Sequence, residues 1–556
     1  MVLLHGVLNV YVDKAEHLPR TIRTQVSSVV KRFVCCGLGP ALYGSCDPYA
    51  VLELAGTRRL RTSVMSGDTS PQWEEQFEVY VADETDDMRV VVKDADLVGA
   101  EQLGQATFDA AQFLDEQMHN LVLDLVDAQG NPVGLKLPGE FRQARIHIYI
   151  QYRSVETQRK FVASTGPVIR GEVPRTYFPM RTGNKVKLYH DAYQTPGPLH
   201  DILLGDGTPY QETSCWDDVY EAIQGAKRFI LITGWSVWTE TALKRQPASP
   251  ERAPPLGQLL LAKAAQGVKV LLLVWDDASN NLGVGDGLMA THDNETYAFF
   301  KGTDVKCVLC PRQGGEEDSI IQSVTRTSFT HHQKTIIVDA PPPSSVPRNA
   351  HPEVSTRRHV VSFVGGLDLC DGRYDTGDHP IFGTDGPGGP HEGDMHQPCI
   401  EGLVAERSAP REPWHDIHAR IEGPAAYDVM INFLERWSKQ AGSRRQKDIT
   451  TLDDTLDVHM PRPLMEYVMA VIKAQDPGFI LSDPSDPDSW GVQVVDRSIH
   501  TAYINAIRQA QRFIYIENQY FLGSSHLWEG DKEATATHLI PAELVLKICA
   551  KIRLGG

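Results

Sequence analysis

One stretch near the middle of the chain combines a strand pattern with residues suited to phosphate chemistry. It reads Phe-Thr-His-His-Gln-Lys-Thr-Ile-Ile-Val-Asp over residues 329–339, so that His332-x-Lys334 is followed after four residues by Asp339. The apolar alternation after Lys334 predicts a strand. Residues two apart on a strand share a face, so His332 and Lys334 are expected to project into one site.

A histidine beside an ammonium suits attack on a phosphate ester. The imidazole of His332 can act as the nucleophile, while Lys334 neutralises charge on the phosphoryl oxygens. Asp339 ends the apolar run, where it can anchor the strand or orient a basic neighbour. The alternative is a half-buried strand with a chance polar face, since short motifs occur by accident.

The stretch resembles the H-x-K-x4-D signature of the phospholipase D superfamily, in which two copies of the motif meet in one active site. Residues 360–368, which contain Gly365-Gly366, resemble the strand and turn that follow the signature in that family. Taken over its whole length, the chain most resembles the C2-containing, plant-type phospholipases D of the alpha class. The resemblance implies a multidomain protein in which an all-β C2 sandwich precedes an α/β phospholipase D catalytic fold.

Composition narrows the classes of partner. The 556-residue chain has a formal net charge of −18, which argues against general nucleic-acid binding. A local basic patch or a bridging cation still allows contact with anionic lipid. Nine cysteines, with Cys35 and Cys36 adjacent, favour reduced thiols in the cytosol. The sequence has neither a signal peptide nor a long apolar run, so a cytoplasmic protein with peripheral membrane contact is expected.

Residues 1–153 contain short β-patterned runs between turn-rich breaks, which predict a β-sandwich. Residues 46–49 and 70–77 resemble strands of C2 domains, and residues 93–104 resemble their third calcium loop. Calcium takes six to eight oxygen ligands, and the expected carboxylates here are Asp47, Asp94, Asp96 and Glu101. The alternative is that these aspartates are ordinary turn formers. No acidic residue occurs between Arg20 and Cys46, which predicts weak affinity or a shell completed by lipid phosphate.

Two basic stretches of this region are candidates for contact with anionic phosphoinositides. Arg59 and Arg61 alternate along a predicted strand, and residues 29–36 mix lysine and arginine with apolar residues. The alternative is a solvated strand face and a disordered loop.

After a linker at residues 154–190, helical and strand patterns alternate, which predicts a layered α/β lobe over residues 191–495. An internal repeat follows: residues 222–232 match residues 506–516 at Ala, Ile, Ala, Arg, Phe, Ile and Ile. A second lobe is therefore expected from residue 496 to residue 556.

The second lobe is expected to be incomplete. Residues 516–521 resemble the family's strand leading into the site, where Gln519 would hydrogen-bond the substrate phosphate. The sequence contains no second H-x-K-x4-D motif. The resemblance implies that the partner histidine and lysine lie beyond the terminus, or that two chains associate and pool their motifs.

The resemblance also implies a calcium ion near the catalytic pocket, held by Asp191, His379 and His415. Histidine is an uncommon ligand for this hard cation. The run Trp414-His415-Asp416-Ile417-His418 leaves zinc open as an alternative, although no further ligands occur at matching spacing.

The resemblance implies a phospholipase D that hydrolyses phosphatidylcholine and related phospholipids to phosphatidic acid and the free head group. His332 would form a phosphohistidine, Lys334 would stabilise the phosphoryl oxygens and Asp339 would support the motif's geometry. The C2 domain would bring the site to the bilayer. The alternative is a calcium-dependent phospholipid-binding protein without catalytic activity.

Overall fold

The computed structural model describes residues 1–20, 46–95, 100–157, 178–205, 207–245, 253–277, 291–311, 330–341, 358–384, 386, 389–392, 411–441, 498–518, 520–521, 523–524 and 538–553. Contacts within the chain divide it into two compact units. The first unit combines Met1–Pro179 with Leu481–Gly556, and the second is Met180–Ile480.

The first unit contains the predicted β-sandwich. Its strands are β1 (Val2–Glu16), β2 (Pro48–Leu54), β3 (Thr57–Arg61), β4 (Gln72–Thr85), β5 (Asp87–Ala95), β6 (Ala100–Asp109), β7 (Met118–Asp124), β8 (Gly134–Leu137), β9 (Glu140–Gln143) and β10 (Arg145–Ser154). Two four-stranded antiparallel sheets, in the orders β4-β1-β10-β7 and β3-β2-β5-β6, pack face to face around one apolar core. The strand β10 illustrates how alternation builds this core. Ile146, Ile148 and Ile150 are all buried and alternate with more exposed residues.

The second unit is the predicted α/β lobe. Its strands are β11 (Lys185–His190), β12 (Gly197–Leu203), β13 (Pro209–Glu212), β14 (Phe229–Gly234), β15 (Lys269–Trp275), β16 (Lys306–Cys310), β17 (Lys334–Ala340), β18 (His359–Gly365) and β19 (Ile417–Glu422). Its helices are α1 (Cys215–Gly225), α2 (Leu256–Ala265), α3 (Asp293–Phe300) and α4 (Pro424–Gln440). The edge strand β11 lies wholly within residues 154–190, the segment that the sequence suggested as a linker.

Seven strands form one mixed sheet in the order β11-β19-β18-β17-β14-β15-β16. Strands β14, β15 and β16 run parallel, whereas β14, β17, β18, β19 and β11 pair antiparallel in turn. The central strands are buried along nearly their whole length, as expected for a sheet with helices packed against it. The strand β17, which follows His332, lies in the middle of this sheet.

Two further helices, α5 (Ser498–Gln509) and α6 (Ile540–Arg553), belong to the first unit. They pack on the β1–β4 face of the sandwich, where Ile504 and Leu539 join Val7, Tyr80 and Ala82 in a small apolar cluster. The predicted second lobe is thus represented among the described residues by helices that contact the sandwich.

Similar sequences in the two copies of the repeat would predict a helix followed by a strand in both, but the second copy forms only the helix, α5. Phe229 is 1% exposed in β14, whereas its counterpart Phe513 is 80% exposed and no strand forms over residues 510–518. In the first copy, β15 and β17 satisfy the backbone of β14 on both sides. No described residue offers such a partner to residues 513–516, and an unpaired strand is not stable.

Six cysteines lie in the described part of the chain and all of them are free thiols. Cys307 and Cys310 form a C-x-x-C spacing on β16, but residues three apart on a strand point to opposite faces, so they do not form a redox or metal pair. Among the described residues, no helix is both long and apolar enough to span a bilayer.

Candidate active site

The antiparallel strands bring several chain segments to one edge of the seven-stranded sheet. Lys334 begins β17 and is paired in register with Gly365, which ends β18 and also faces His418 at the start of β19. The end of β14 reaches the same edge, because Thr233 pairs with Thr335. His190, at the end of β11, pairs with Ile417 there. The site is built at this edge.

His332 and Lys334 lie together, as the sequence suggested. His332 precedes the first residue of β17 and is exposed, whereas Lys334 is 4% exposed. The Lys334 Nζ atom lies 3.3 Å from His332 Nδ1. The imidazole therefore faces solvent with an ammonium behind it, which is the arrangement that attack on a phosphate ester requires.

Two carboxylates complete this cluster, and neither belongs to the H-x-K-x4-D motif. Asp368 follows β18, and its Oδ2 lies 3.0 Å from Lys334 Nζ, while its Oδ1 accepts a hydrogen bond from the Trp235 backbone N–H at 3.0 Å. Asp416 precedes β19, next to the glycine turn. Their contribution follows only from the strand order, which the sequence pattern does not contain.

The Gly365-Gly366 turn makes room for these side chains. A Cβ atom on Gly366 would lie 1.9 Å from Asp416 Oδ1, and one on Gly365 would lie 2.5 Å from His418 Nδ1. Any other residue at either position would displace a polar group of the site. The two glycines are therefore needed for close approach of side chains to the backbone.

Burial and charge set the protonation of the cluster. Burial, and then the charge of Lys334, lower the pKa of His332 below its ordinary value. Burial lowers the pKa of His418 to about 4 and raises that of Asp416. His332 is consequently a neutral imidazole at neutral pH, in the state needed for nucleophilic attack.

Aromatic rings border His332. The Trp235 ring centroid lies 5.5 Å from that of His332, with Lys334 Nζ at 5.8 Å and the Arg373 guanidinium at 5.6 Å from the same ring. Arg373 also lies 4.6 Å from the Trp414 ring. These contacts hold the rings and add positive charge near His332.

Asp339 lies at the other end of β17, roughly 17 Å along the strand from Lys334. Its buried carboxylate accepts hydrogen bonds from the backbone N–H groups of Lys227, Arg228 and Phe229 and pairs with Arg358. The third residue of the motif thus ties β17 to the start of β14, at the opposite end of the strand from Lys334.

Asp191, His379 and His415 converge near the same sheet edge, with their ligand atoms all within 4.8 Å of one another. His415 Nδ1 lies 2.5 Å and His379 Nε2 lies 3.5 Å from the Asp191 carboxylate. Asp191 and His379 both have left-handed backbone, with φ of 62° and 45°. Such strain in residues other than glycine is concentrated at functional sites. One carboxylate and two imidazoles can hold a divalent cation here.

Asp375 organises the surroundings of this group. Burial alone would raise its pKa, but nearby His391, 3.6 Å away, and hydrogen bonds from Arg411 and the Trp414 backbone N–H hold the pKa well below its usual range. His379 Nδ1 lies 3.1 Å from the Asp375 carboxylate. Asp375 is thus a buried anion beside His379, whose Nε2 lies on the Asp191 side.

In the sandwich, three of the four expected calcium ligands lie in the described residues. Asp47 precedes β2, its backbone N–H donates to Asp94 Oδ1 at 2.6 Å, and Asp94 pairs in register with Glu101. The three residues therefore lie at one end of the sandwich. Asp96 lies outside the described residues, as does the basic stretch at residues 29–36.

The interpretation of Arg59 as a lipid contact is wrong. Its side chain is buried and paired with Asp83 on β4, so it serves the sandwich interior. Arg61 lies over the Tyr49 ring, 4.0 Å from its centroid. Gln519, expected to bind the substrate phosphate, lies outside the described residues.

Comparison with known proteins decides the family. The family model described as "Phospholipase D" matches residues 222–556, and the model described as "C2 domain" matches residues 6–125. The chain belongs to the phospholipase D family. As a phospholipase D, it is a hydrolase in which an all-β C2 domain precedes the α/β catalytic fold.

Named relatives extend over the whole chain. Phospholipase D alpha 1 of Cynara cardunculus is 40% identical over 100% of this chain and 69% of its own length. The alpha 1 enzyme of Oryza sativa is 39% identical with the same coverage, and phospholipase D beta 2 of Arabidopsis thaliana is 39% identical over 61% of its length. Similarity to these phospholipases D does not favour the alternative, a phospholipid-binding protein without catalytic activity. A C2 domain in a phospholipase D fits calcium dependence and contact with phospholipid.

Proposed function

We propose that this phospholipase D hydrolyses phosphatidylcholine and related glycerophospholipids to phosphatidic acid and the free head-group alcohol. The observation that carries the proposal is the exposed His332 with Lys334 Nζ at 3.3 Å from its Nδ1. Burial and the charge of Lys334 lower the pKa of His332, which favours the neutral imidazole. Nδ1 lies on the Lys334 side, so Nε2 is the ring nitrogen left for the substrate. We assign the attack to Nε2 in the tautomer that carries its proton on Nδ1.

The reaction proceeds in two displacements. His332 Nε2 bonds to phosphorus as the bond to the head-group oxygen breaks, and the leaving alcohol takes a proton from a general acid. Water then attacks the phosphohistidine, loses a proton to the same group and releases phosphatidic acid and His332. Lys334 balances the negative charge that develops on the phosphoryl oxygens, and Asp368 fixes its ammonium.

The general acid is the second histidine of the reaction. In the family a second H-x-K-x4-D motif supplies it, and this sequence contains one copy of the motif. We propose that two copies of this chain associate and that the second copy supplies this group. Specific activity should then increase with protein concentration.

The experiment measures choline release from phosphatidylcholine vesicles over a wide range of protein concentration. Ethanol in the same assay intercepts the phosphohistidine and gives phosphatidylethanol. His332→Asn should abolish both products. His331→Asn is the matched control, because His331 is the adjacent histidine and packs against Trp275. Products made by His332→Asn, or lost equally in His331→Asn, would overturn the assignment.

A calcium ion is proposed at Asp191, His379 and His415. The three donors supply part of the six to eight that calcium takes, and lipid phosphate and water would complete the shell. The cation would supply positive charge for the substrate phosphate. Asp191→Asn should reduce calcium binding in calorimetry, whereas Asp217→Asn, a change on α1, should not.

Membrane recruitment is proposed to use the sandwich end that carries Asp47, Asp94 and Glu101, with Asp96 as a further calcium ligand. Bound calcium would bridge these carboxylates to anionic lipids, including phosphoinositides, and place the protein at the cytoplasmic membrane surface. Asp47→Asn should weaken calcium-dependent sedimentation with phosphoinositide vesicles, while choline release from detergent-dispersed lipid persists. Unchanged sedimentation would contradict the placement. If the wild-type chain sediments with the vesicles but releases no choline, the result would favour a phospholipid-binding protein without catalytic activity.

A further inference from the structure

A second group of metal-binding side chains lies outside both calcium sites. His292, Cys370 and Asp371 offer ligand atoms that all lie within 4.8 Å of one another. Cys370 Sγ is 2.8 Å and His292 Nε2 is 3.3 Å from Asp371 Oδ1. The group shares no residue with the Asp191 group, and the proposed hydrolysis does not use it.

The histidine of this group has a carboxylate on its second ring nitrogen, as metal-binding histidines commonly do. His292 Nδ1 lies 2.8 Å from Glu295 Oε2, which directs Nε2 toward Asp371 and Cys370. Trp238 stacks on the imidazole with a centroid separation of 4.9 Å and donates its indole N–H to Glu295 Oε1 at 3.2 Å. A carboxylate on the second ring nitrogen fixes the tautomer and makes the other nitrogen a better ligand.

The thiol is fixed as well. Ser236 Oγ lies 2.8 Å from the Thr291 carbonyl oxygen and 2.9 Å from Cys370 Sγ. The serine therefore joins the segment before α3 to the turn after β18, so that the donors from the two segments face each other. A hydroxyl beside sulfur can also donate to a thiolate, the form that binds metal.

We propose that His292 Nε2, Cys370 Sγ and Asp371 Oδ1 form a site for a soft divalent cation of the zinc class. Sulfur disfavours calcium and magnesium, which prefer oxygen, whereas one sulfur, one nitrogen and one oxygen suit tetrahedral zinc with water as the fourth ligand. On binding, the cation replaces the thiol proton, which passes to solvent.

The site has a defined place in the fold. Cys370 lies two residues after Asp368, the carboxylate that holds Lys334. A cation there would fasten the turn after β18 to the start of α3. We therefore infer that the cation stabilises the position of Asp368 without contacting the substrate.

Cobalt(II) is the probe, because its absorption reports both sulfur ligation and tetrahedral geometry. The full chain is titrated with cobalt(II) chloride in excess calcium. The expected result is a one-to-one complex with a thiolate-to-cobalt charge-transfer band and intense visible bands, both abolished by zinc. Cys370→Ser should lose the charge-transfer band. Cys310→Ser, a change at another buried free cysteine, should keep it, and so should Asp191→Asn.

Glu295→Gln keeps the proposal testable if Cys370→Ser fails to fold, because the Glu295 side chain is 54% exposed. Loss of an outer-shell partner of this kind lowers metal affinity by about 10–100-fold. Absence of the charge-transfer band in the wild-type chain, its persistence in Cys370→Ser, or an unchanged cobalt affinity in Glu295→Gln would overturn the site. None of these results depends on choline release, so the proposed hydrolysis is tested separately.

Discussion

At the scale of single residues, the proposed chemistry depends on the pair His332 and Lys334. Lys334 is buried with Asp368 at 3.0 Å and sits behind an exposed imidazole. The ammonium is thus fixed before the substrate arrives, so no free energy is spent on reorienting it during the reaction.

Replacing Lys334 with methionine should reduce kcat for choline release by roughly 100–1,000-fold, since one charged stabiliser of the phosphoryl oxygens is lost. Lys263→Met is the matched control. Lys263 is another buried lysine, but it donates to the Gln224 carbonyl on α1 and lies at the Asp339 end of the lobe. A similar loss of kcat in both variants would indicate a general effect of removing a buried lysine.

The lowered pKa of His332 predicts the acid side of the pH profile. Attack needs the neutral imidazole, so kcat/KM should fall only as pH drops through a value below the ordinary 6.5. The charge of Asp368 opposes this lowering. Asp368→Asn should therefore move the acid limb to still lower pH, whereas Glu221→Gln on α1 should leave it in place. A shift of the acid limb to higher pH in Asp368→Asn would contradict the assignment of this limb to His332.

At the scale of elements, the glycine turn after β18 determines the site as much as the motif does. The turn passes under Asp416 and His418, and both side chains need the space that a Cβ atom would fill. The positions of these polar groups are thus set by backbone packing between β18 and β19.

Gly366→Ala should displace Asp416 and lower kcat at least tenfold, with a smaller effect on thermal unfolding. Gly197→Ala is the control, since its Cβ would meet nothing within 4 Å. The measurement is choline release beside calorimetry. Wild-type kcat in Gly366→Ala would show that the Asp416 position does not matter for catalysis.

Asp339 acts on stability rather than on the reaction. Its carboxylate satisfies three backbone N–H groups and Arg358 in a buried position. Asp339→Ala leaves the guanidinium uncompensated and should lower the free energy of unfolding of the catalytic lobe by about 3–5 kcal/mol. Urea unfolding followed by fluorescence measures this loss. A variant with wild-type stability and no activity would place Asp339 in the reaction instead.

At the scale of the whole molecule, the sandwich and the chain's last helices form one unit. Arg508 pairs with Glu543 and donates to the carbonyl oxygens of Gly6 and Val81, while His5 Nε2 lies 3.0 Å from Glu543. Arg508 and Glu543 are both buried. This network joins α5 and α6 to β1 and β4.

Glu543 predicts how this unit responds to acid. Burial alone would raise its pKa, but hydrogen bonds from His5 and Arg508 lower it below 4.5. A carboxyl with a lowered folded-state pKa contributes stability above its unfolded value and loses it as pH falls through the folded value. Calorimetry of the first unit should show a loss of stability from pH 4.5 downward. Glu543→Gln should be less stable at neutral pH and depend less on pH in this range.

The sequence predicted the parts of the structure that depend on local pattern. The sandwich, the α/β lobe and the proximity of His332 to Lys334 follow from alternation and motif spacing. The roles of Asp368 and Asp416 do not, because they require knowing that β17, β18 and β19 are neighbours. The repeat predicted a strand at residues 513–516 from similarity alone, but a strand also needs partners.

The antiparallel pairing of β17 and β18 places their other two ends away from the site. Because β17 begins and β18 ends at the site edge, Ala340 and His359 lie at the opposite edge of the sheet. A reporter domain joined between Ala340 and His359 would be attached to the sheet one strand length away from His332. The protein thus offers a place for a fluorescent tag that follows membrane arrival while the hydrolytic groups stay as they are.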